Sequence, residues 1–259
     1  MRTWLALTVT SVIIGGSCAP ASHADVEDPV PVIRPTILAE IPHDPAAYTE
    51  GLELDGAALY EATGLEGQSQ LRELDPSTGA VRRSVALRPN YFGEGITVVG
   101  DRIWQLTDQD GVAIEWDKRS FSPLREALVD GQGWGLCLDG NRLIRSDGTD
   151  RLRFHESENL TETGSIAVTR DGRPVTGLDE LECVDGQVWA SVWPTDEFVR
   201  IDPATGRVNL AVDGSGLWRG GPRTNRQVMS SIAHISGDEF LLVGKEWPWM
   251  LRVRIDGAS

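Results

Sequence analysis

An all-β fold, a five-bladed β-propeller, is the class predicted from three observations. One unit recurs five times, each unit is built of short apolar runs around glycine turns, and no segment keeps a helical period over three turns. The units open with Glu50–Gly56, Glu94–Gly100, Trp134–Gly140, Glu180–Gly186 and Ser231–Gly237, spaced by about 45 residues. A second apolar run follows each closing glycine: Ala58–Tyr60, Arg102–Leu106, Arg142–Ile144, Gln187–Ala190 and Glu239–Val243. Such pairs read as β-hairpins. Downstream, Asp75–Gly79 and Asp202–Gly206 share the pattern D-P-x-T-G, with proline second and glycine last, as a type I turn between strands prefers. Four strands in about 45 residues is one blade. Five units fill residues 37–259 and leave no length for another domain. The first strand of each blade would line the central channel. Glu50, Glu94, Trp134, Glu180 and Ser231 are therefore expected together at one mouth.

The 259 residues are 40% hydrophobic and 24% charged, which excludes disorder and a small disulfide scaffold. A formal net charge of −15 excludes the basic footprint of a nucleic-acid binder and disfavours an anionic lipid surface. Residues 1–24 read as a signal peptide: Arg2, an apolar run over Leu5–Ile14 too short to span a bilayer, then small residues. Gly15-Gly16-Ser17-Cys18 resembles a bacterial lipoprotein box, which would put a lipid anchor on Cys18, and cleavage after Ala21 or Ala24 is the alternative. Either route predicts export, to the periplasm, to the cell envelope as a lipoprotein, or into the medium. Residues 25–36, acidic and carrying Pro29, Pro31 and Pro35, read as a linker. For Cys137 and Cys183, a disulfide and two buried thiols both stay open.

Seven short motifs occur in order along the units: Tyr48–Leu52, Phe92–Thr97, Gly133–Leu136, Ser146–Thr149, Leu178–Glu182, Ala190–Trp193 and Gly244–Pro248. Together they resemble the plant-type glutaminyl-peptide cyclotransferases (glutamine cyclotransferases). The resemblance implies a five-bladed propeller that converts the N-terminal glutamine of peptides or proteins to pyroglutamate with release of ammonia. It acts as a monomer with no required cofactor, a structural calcium being the one metal left open.

That chemistry has physical demands. The α-amine attacks its own γ-carboxamide carbon, one carboxylate takes the proton and returns it to the leaving nitrogen, and the amide oxygen needs a donor. By resemblance, Glu94 is the proton shuttle, and Lys245 lies near the reacting group to bind the carboxamide oxygen or pair with an acid. Trp134 and Trp193 are aromatic walls, Tyr48 and Glu50 hold the first-blade position, and Phe92 packs behind the glutamate.

The chain departs from the family pattern at several places. Asp108 stands where the family reads a wall tryptophan, Asp179 replaces an asparagine in the catalytic set, and Ser191 replaces another. Residues 229–233 depart from the family's LNGIA. An Asp179 carboxylate has no hydrogen to donate unless protonated, or it pairs with Lys245. These acids motivate a second reading, a catalytically divergent envelope propeller that binds amine-bearing peptides. A third, a calcium-dependent lactonase-type propeller, lacks support in the motifs. His43, His155 and His234 have no mutual spacing for a triad, and Asp108-Gln109-Asp110-Gly111 begins a calcium loop without its remaining ligands. No metal ligands are predicted.

Overall fold

A computed structural model of the chain describes residues 28–258. The expected signal peptide 1–24, with Cys18, and residues 25–27 of the expected linker lie outside the described residues. The all-β class holds, with 23 strands and no helix among the described residues.

The chain opens with β1 (Val32–Ile33) and β2 (Thr36–Pro42). A first four-stranded sheet follows, β3 (Thr49–Asp55), β4 (Ala58–Thr63), β5 (Gln70–Leu74) and β6 (Val81–Ala86). A second is β7 (Gly93–Val99), β8 (Arg102–Thr107), β9 (Val112–Asp117) and β10 (Pro123–Leu128). A third is β11 (Leu136–Asp139), β12 (Arg142–Arg145), β13 (Arg151–Glu156) and β14 (Glu162–Ala167). The short strands β15 (Thr169–Arg170) and β16 (Arg173–Pro174) precede β17 (Leu178–Val184), β18 (Gln187–Val192), β19 (Glu197–Asp202) and β20 (Arg207–Asp213). The chain ends with β21 (Met229–Ser236), β22 (Glu239–Gly244) and β23 (Trp249–Arg254).

The expectation of a five-bladed propeller is corrected here: the structure has four four-stranded blades, and the remaining sheet has seven strands. The cause is the outer edge of β20. Val32–Ile33 adds to it in parallel at Ala211–Val212, and Thr169 of the β15–β16 hairpin adds at Arg207. Extra strands cap an edge whose backbone groups would otherwise stay unpaired. Part of the stretch read as linker is thereby built into the sheet, with Pro31 O accepting from Ala211 N at 2.9 Å. The first strands of the sheets, β3, β7, β11, β17 and β21, pack in that order, and β21 returns to β3. The last blade is completed by the N-terminal β2, which pairs antiparallel with β23.

Local chemistry explains the hairpins. The five closing glycines, Gly56, Gly100, Gly140, Gly186 and Gly237, all have φ between +51 and +75° with open space where a Cβ would sit. Backbone conformation, not packing, requires glycine there. The D-P-x-T-G turns form as read: Asp75 Oδ1 accepts from Ser77 N and Thr78 N, and Gly79 N donates to Asp75 O at 2.8 Å. Between the sheets lie the packed apolar faces, Trp104, Trp189, Phe198 and Phe240 among them, all fully buried.

Cys137 on β11 and Cys183 on β17 form a disulfide, with Cα atoms 5.4 Å apart and a separation of 46 positions in sequence. It ties the inner strands of two neighbouring sheets. Loop-closure entropy assigns a link of that span about 4 kcal/mol. Replacing both cysteines by serine is expected to remove about 2–4 kcal/mol in urea unfolding, with ΔG read by linear extrapolation.

Candidate active site

Four of the inner strands carry a register shift where they begin. The ladder skips Glu50 in β3, Glu94-Gly95 in β7, Asp179-Glu180 in β17 and Ser230 in β21. Bulges at such a rim unpair a residue and re-aim its side chain. Here the bulged residues include Glu50, Glu94 and Asp179, each of which brings one carboxylate oxygen to within 4.8 Å of one from each of the others. The inner strands approach closely enough that a Cβ on Gly95 would sit 2.6 Å from Trp134 O, and one on Gly135 would sit 2.2 Å from Asp179 O. Gly95 N donates to Trp134 O at 2.7 Å, locking the second and third sheets together at the mouth.

All nine residues proposed from the sequence line one cavity of about 200 Å³: Tyr48, Glu50, Phe92, Glu94, Asp108, Trp134, Asp179, Trp193 and Lys245. The expected mouth set is only partly right. Glu50, Glu94 and Trp134 are there, but Glu180 and Ser231 do not line the cavity. The two-residue bulge at Asp179-Glu180 turns Asp179 to the mouth. Glu180 instead accepts from Leu52 N and Ile232 N, both at 3.3 Å, across two neighbouring sheets. A wider groove of about 830 Å³ lies elsewhere, beside Pro29, and its charged groups, Arg170, Asp171, Arg173 and Glu197, are exposed or half-buried rather than buried.

Each wall has a support. Trp134 and Trp193 meet edge to face at 5.9 Å, Trp193 being 46% exposed at the rim. Gly148 leaves room for Trp134, since a Cβ there would be 2.6 Å from the ring. The neighbouring Ser146 hydroxyl accepts from Gly135 N at 2.7 Å and donates to Asp179 O at 2.5 Å, so the motif around Ser146 fixes both Trp134 and Asp179. Tyr48 and Phe92 meet at 6.1 Å, nearly perpendicular.

Lys245 follows β22 and reaches over Tyr48, with Nζ 5.0 Å from the ring centroid. Its ammonium lies 2.5 Å from Glu50 Oε2 and 3.9 Å from Asp179 Oδ2. The segment bearing it is held from behind by His43, whose Nδ1 lies 2.9 Å from Trp247 O and whose Nε2 lies 2.7 Å from Glu61 Oε1. Burial works against a charged His43, but the Glu61 charge and hydrogen bond prevail and its pKa is raised. Thr49 donates to the same Glu61 oxygen at 2.8 Å, joining this support to β3. Sequence reasoning missed this His43–Glu61 pair, because His43 lies in the loop after β2 of the last blade and Glu61 on β4 of the first sheet.

Electrostatics follow from burial. Burial pushes the Glu50 carboxyl up to about 8, against the pull of Lys245. Burial and then the Glu50 charge push Glu94 well above the usual carboxylate range. Asp179 is raised by burial, opposed by Lys245 and reinforced by Asp108. Lys245 is held above its ordinary value because Glu50, Asp179 and Glu94 outweigh its burial. Three acids at this separation have the donor set for a cation, and the Lys245 ammonium already supplies positive charge among them. Glu94 Oε2 is buried without a hydrogen bond, on a residue that lines the cavity, whereas Glu50 Oε2 has the Lys245 ammonium as its partner. Among the described residues, the other two histidines have structural partners: His155 takes Arg145 Nε–H at 3.2 Å, and His234 Nε2 lies 2.9 Å from Gly237 O.

Below the mouth, more acids bridge strands. Glu53 accepts from Val98 N at 2.8 Å and Glu182 from His234 N at 3.0 Å. Glu182 is raised well above the carboxylate range by desolvation and by the Glu53 charge. Its folded state therefore keeps a proton that the unfolded chain releases above about pH 4.3, and stability is lost as pH rises. Glu182→Gln keeps the acceptor and removes the titration. It is expected to raise the melting temperature more at about pH 8 than at about pH 5, by roughly 2–4 °C per kcal/mol.

The family model for glutamine cyclotransferase matches residues 8–255. Glutaminyl-peptide cyclotransferase of Arabidopsis thaliana is 37% identical over 232 residues, 86% of this chain and 72% of that protein. The crystal structure of Myxococcus xanthus glutaminyl cyclase superposes with a TM-score of 0.81 at 34% identity, covering 88% of this chain and 98% of that one. BamB from Moraxella catarrhalis, at 13% identity and a TM-score of 0.50, is alike in fold alone. With its motifs in order and their side chains gathered at one mouth, this chain belongs to the glutamine cyclotransferase family.

Proposed function

We propose that this chain is a glutaminyl-peptide cyclotransferase, closing the N-terminal glutamine of peptides or proteins to pyroglutamate and releasing ammonia. The observation that carries this is Glu94: a buried carboxyl with an unpartnered oxygen, aimed into a cavity that also holds a lysine and two tryptophans. At about 200 Å³ the cavity is smaller than the ~300–1,000 Å³ pockets that enclose drug-sized ligands. It takes a single side chain, and the rest of a peptide leaves past Trp193.

Glu94 is the proton carrier. Its raised affinity for protons narrows the gap to a peptide α-amine of about 8, which makes transfer in both directions easy. The amine nitrogen bonds to the carboxamide carbon and passes a proton to Glu94, and Glu94 returns it as the bond to ammonia breaks. Trp134 and Trp193 hold the side chain folded for a five-membered closure. Lys245 balances the acids. The enzyme works as an exported monomer without a metal, its leader at residues 1–24 supplying the export signal and Cys18 the one route to a lipid anchor.

Asp108 favours a second reading. It is a half-exposed acid on the cavity wall, and with Glu50 and Asp179 it suits binding of an amine without turnover. Ammonia release from glutaminyl dipeptides by the protein from residue 25 onward, with and without chelator, separates the two. Release unaffected by chelator, with pyroglutamyl product in the mass spectrum, supports the enzyme. Binding without release supports the second reading.

A further inference from the structure

The seven-stranded sheet differs from the four blades by two additions, the chain entering β1 and the β15–β16 hairpin, and together they wall the groove of about 830 Å³. The hairpin turns on Asp171-Gly172, with φ of +50 and +74°, the left-handed pair that a tight two-residue turn prefers. Asp171 Oδ1 accepts from Val30 N at 3.0 Å, which fixes the entering chain, with Pro29, as the opposite wall.

This groove adjoins the rim of the cavity on two sides. Its Thr176 precedes Gly177, whose carbonyl accepts from Trp193 N at 2.8 Å. Its Glu197 lies across the ladder from Val192, the residue before Trp193. A peptide that leaves the cavity past Trp193 therefore runs onto the groove. Charge within it is unevenly used. Arg170 Nη1 lies 2.8 Å from Glu197 Oε1, and Asp171 holds Val30, but the exposed Arg173 has no acid partner among the described residues.

We propose that this groove is the subsite for the stretch of substrate that follows the glutamine, and that Arg173 selects an acidic side chain there. The inference rests on the cyclotransferase reading and names a substrate class for it, N-terminal glutamine followed within a few residues by Asp or Glu. Arg173 lies four positions before Gly177, at most about 14 Å along an extended chain. The selected acid then falls at about the third to sixth residue of the peptide. With a net charge of −15 the protein as a whole repels such a tail, and an unpaired guanidinium beside the exit gives it one attractive contact.

Ammonia release by the protein from residue 25 onward tests this, with glutaminyl-alanine and with glutamine–alanine hexapeptides carrying one Glu or one Lys at positions three to six. At the selected position the Glu peptide is expected to have a KM about three- to tenfold below that of the Lys peptide, with kcat unchanged. That gap combines the attraction of an exposed ion pair with the repulsion of its reversal, so it should shrink as salt is raised. Arg173→Ala is expected to level the preference and Arg173→Glu to invert it, which a general loss of structure does not do. Equal KM values for Glu and Lys peptides at every position, or a preference kept in Arg173→Glu, overturn the proposal, while release from the dipeptide leaves the cyclotransferase reading standing. A wild type that releases ammonia from none of these peptides overturns the reading itself, and this inference with it.

Discussion

Replacing Glu94 with glutamine is expected to cut ammonia release by about 10²–10⁴-fold, the share of a barrier that a positioned proton carrier supplies. The change is nearly isosteric, so the cavity should keep its shape and KM should move little while kcat falls. In the wild type the active form of Glu94 is the carboxylate, and burial with the Glu50 charge holds its pKa high. The rate should therefore rise with pH until that pKa is passed, and the rise should vanish in Glu94→Gln. Loss of the adjacent charge by Glu50→Gln should shift the rising limb to lower pH, because Glu50 is the largest like charge acting on Glu94. Steady-state rates across the pH range read all three effects. A Glu94→Gln variant that keeps a tenth or more of the wild-type rate would remove Glu94 from the chemistry.

Lys245→Met should be the most damaging change to stability at the mouth. Removing one partner of a buried ion pair typically costs about 3–5 kcal/mol. Here it leaves three buried acids with no compensating charge, of which Glu50 loses a contact at 2.5 Å. The variant can recover by taking up protons, so the loss should depend on pH. The folded carboxyls would bind protons more tightly than the unfolded chain, and stability then falls as pH rises. Melting curves at about pH 5 and pH 8 should show the larger deficit at pH 8. Adding Glu50→Gln to Lys245→Met should return much of it. A deficit independent of pH would assign Lys245 a packing role instead.

The hairpins were readable because their causes are local: a glycine at positive φ, a D-P-x-T-G turn, an apolar run of strand length. The nine cavity residues were readable from ordered motifs, although what unites them in space is the bulges. That is also where the reading failed. A strict two-residue alternation from Gly186 puts Glu180 at the mouth, and nothing in the composition of Asp179-Glu180 announces that both are skipped by the ladder. The seven-stranded sheet was illegible for a related reason. Val32–Ile33 and Thr169–Arg170 are two-residue strands, too short for any periodicity, and they exist because β20 offers them an edge. The Glu53, Glu180 and Glu182 bridges looked like ordinary strand acids until their partners came from neighbouring sheets.

The pairing of β2 with β23 has a temporal side. Register Thr36↔Arg254 to Pro42↔Trp249 means that β2 waits for a partner more than 200 residues further along the chain. A half-made chain cannot close the ring, however well its early hairpins form, because the seam is sewn from both ends. Contacts of that sequence separation are slow to find and leave β-edges open meanwhile. Closure of the ring therefore waits for β23, and until then it depends on whatever keeps open edges apart. Trimming residues 28–42 would not yield a smaller stable ring. It would leave β23 as a bare edge, ready to pair with another copy.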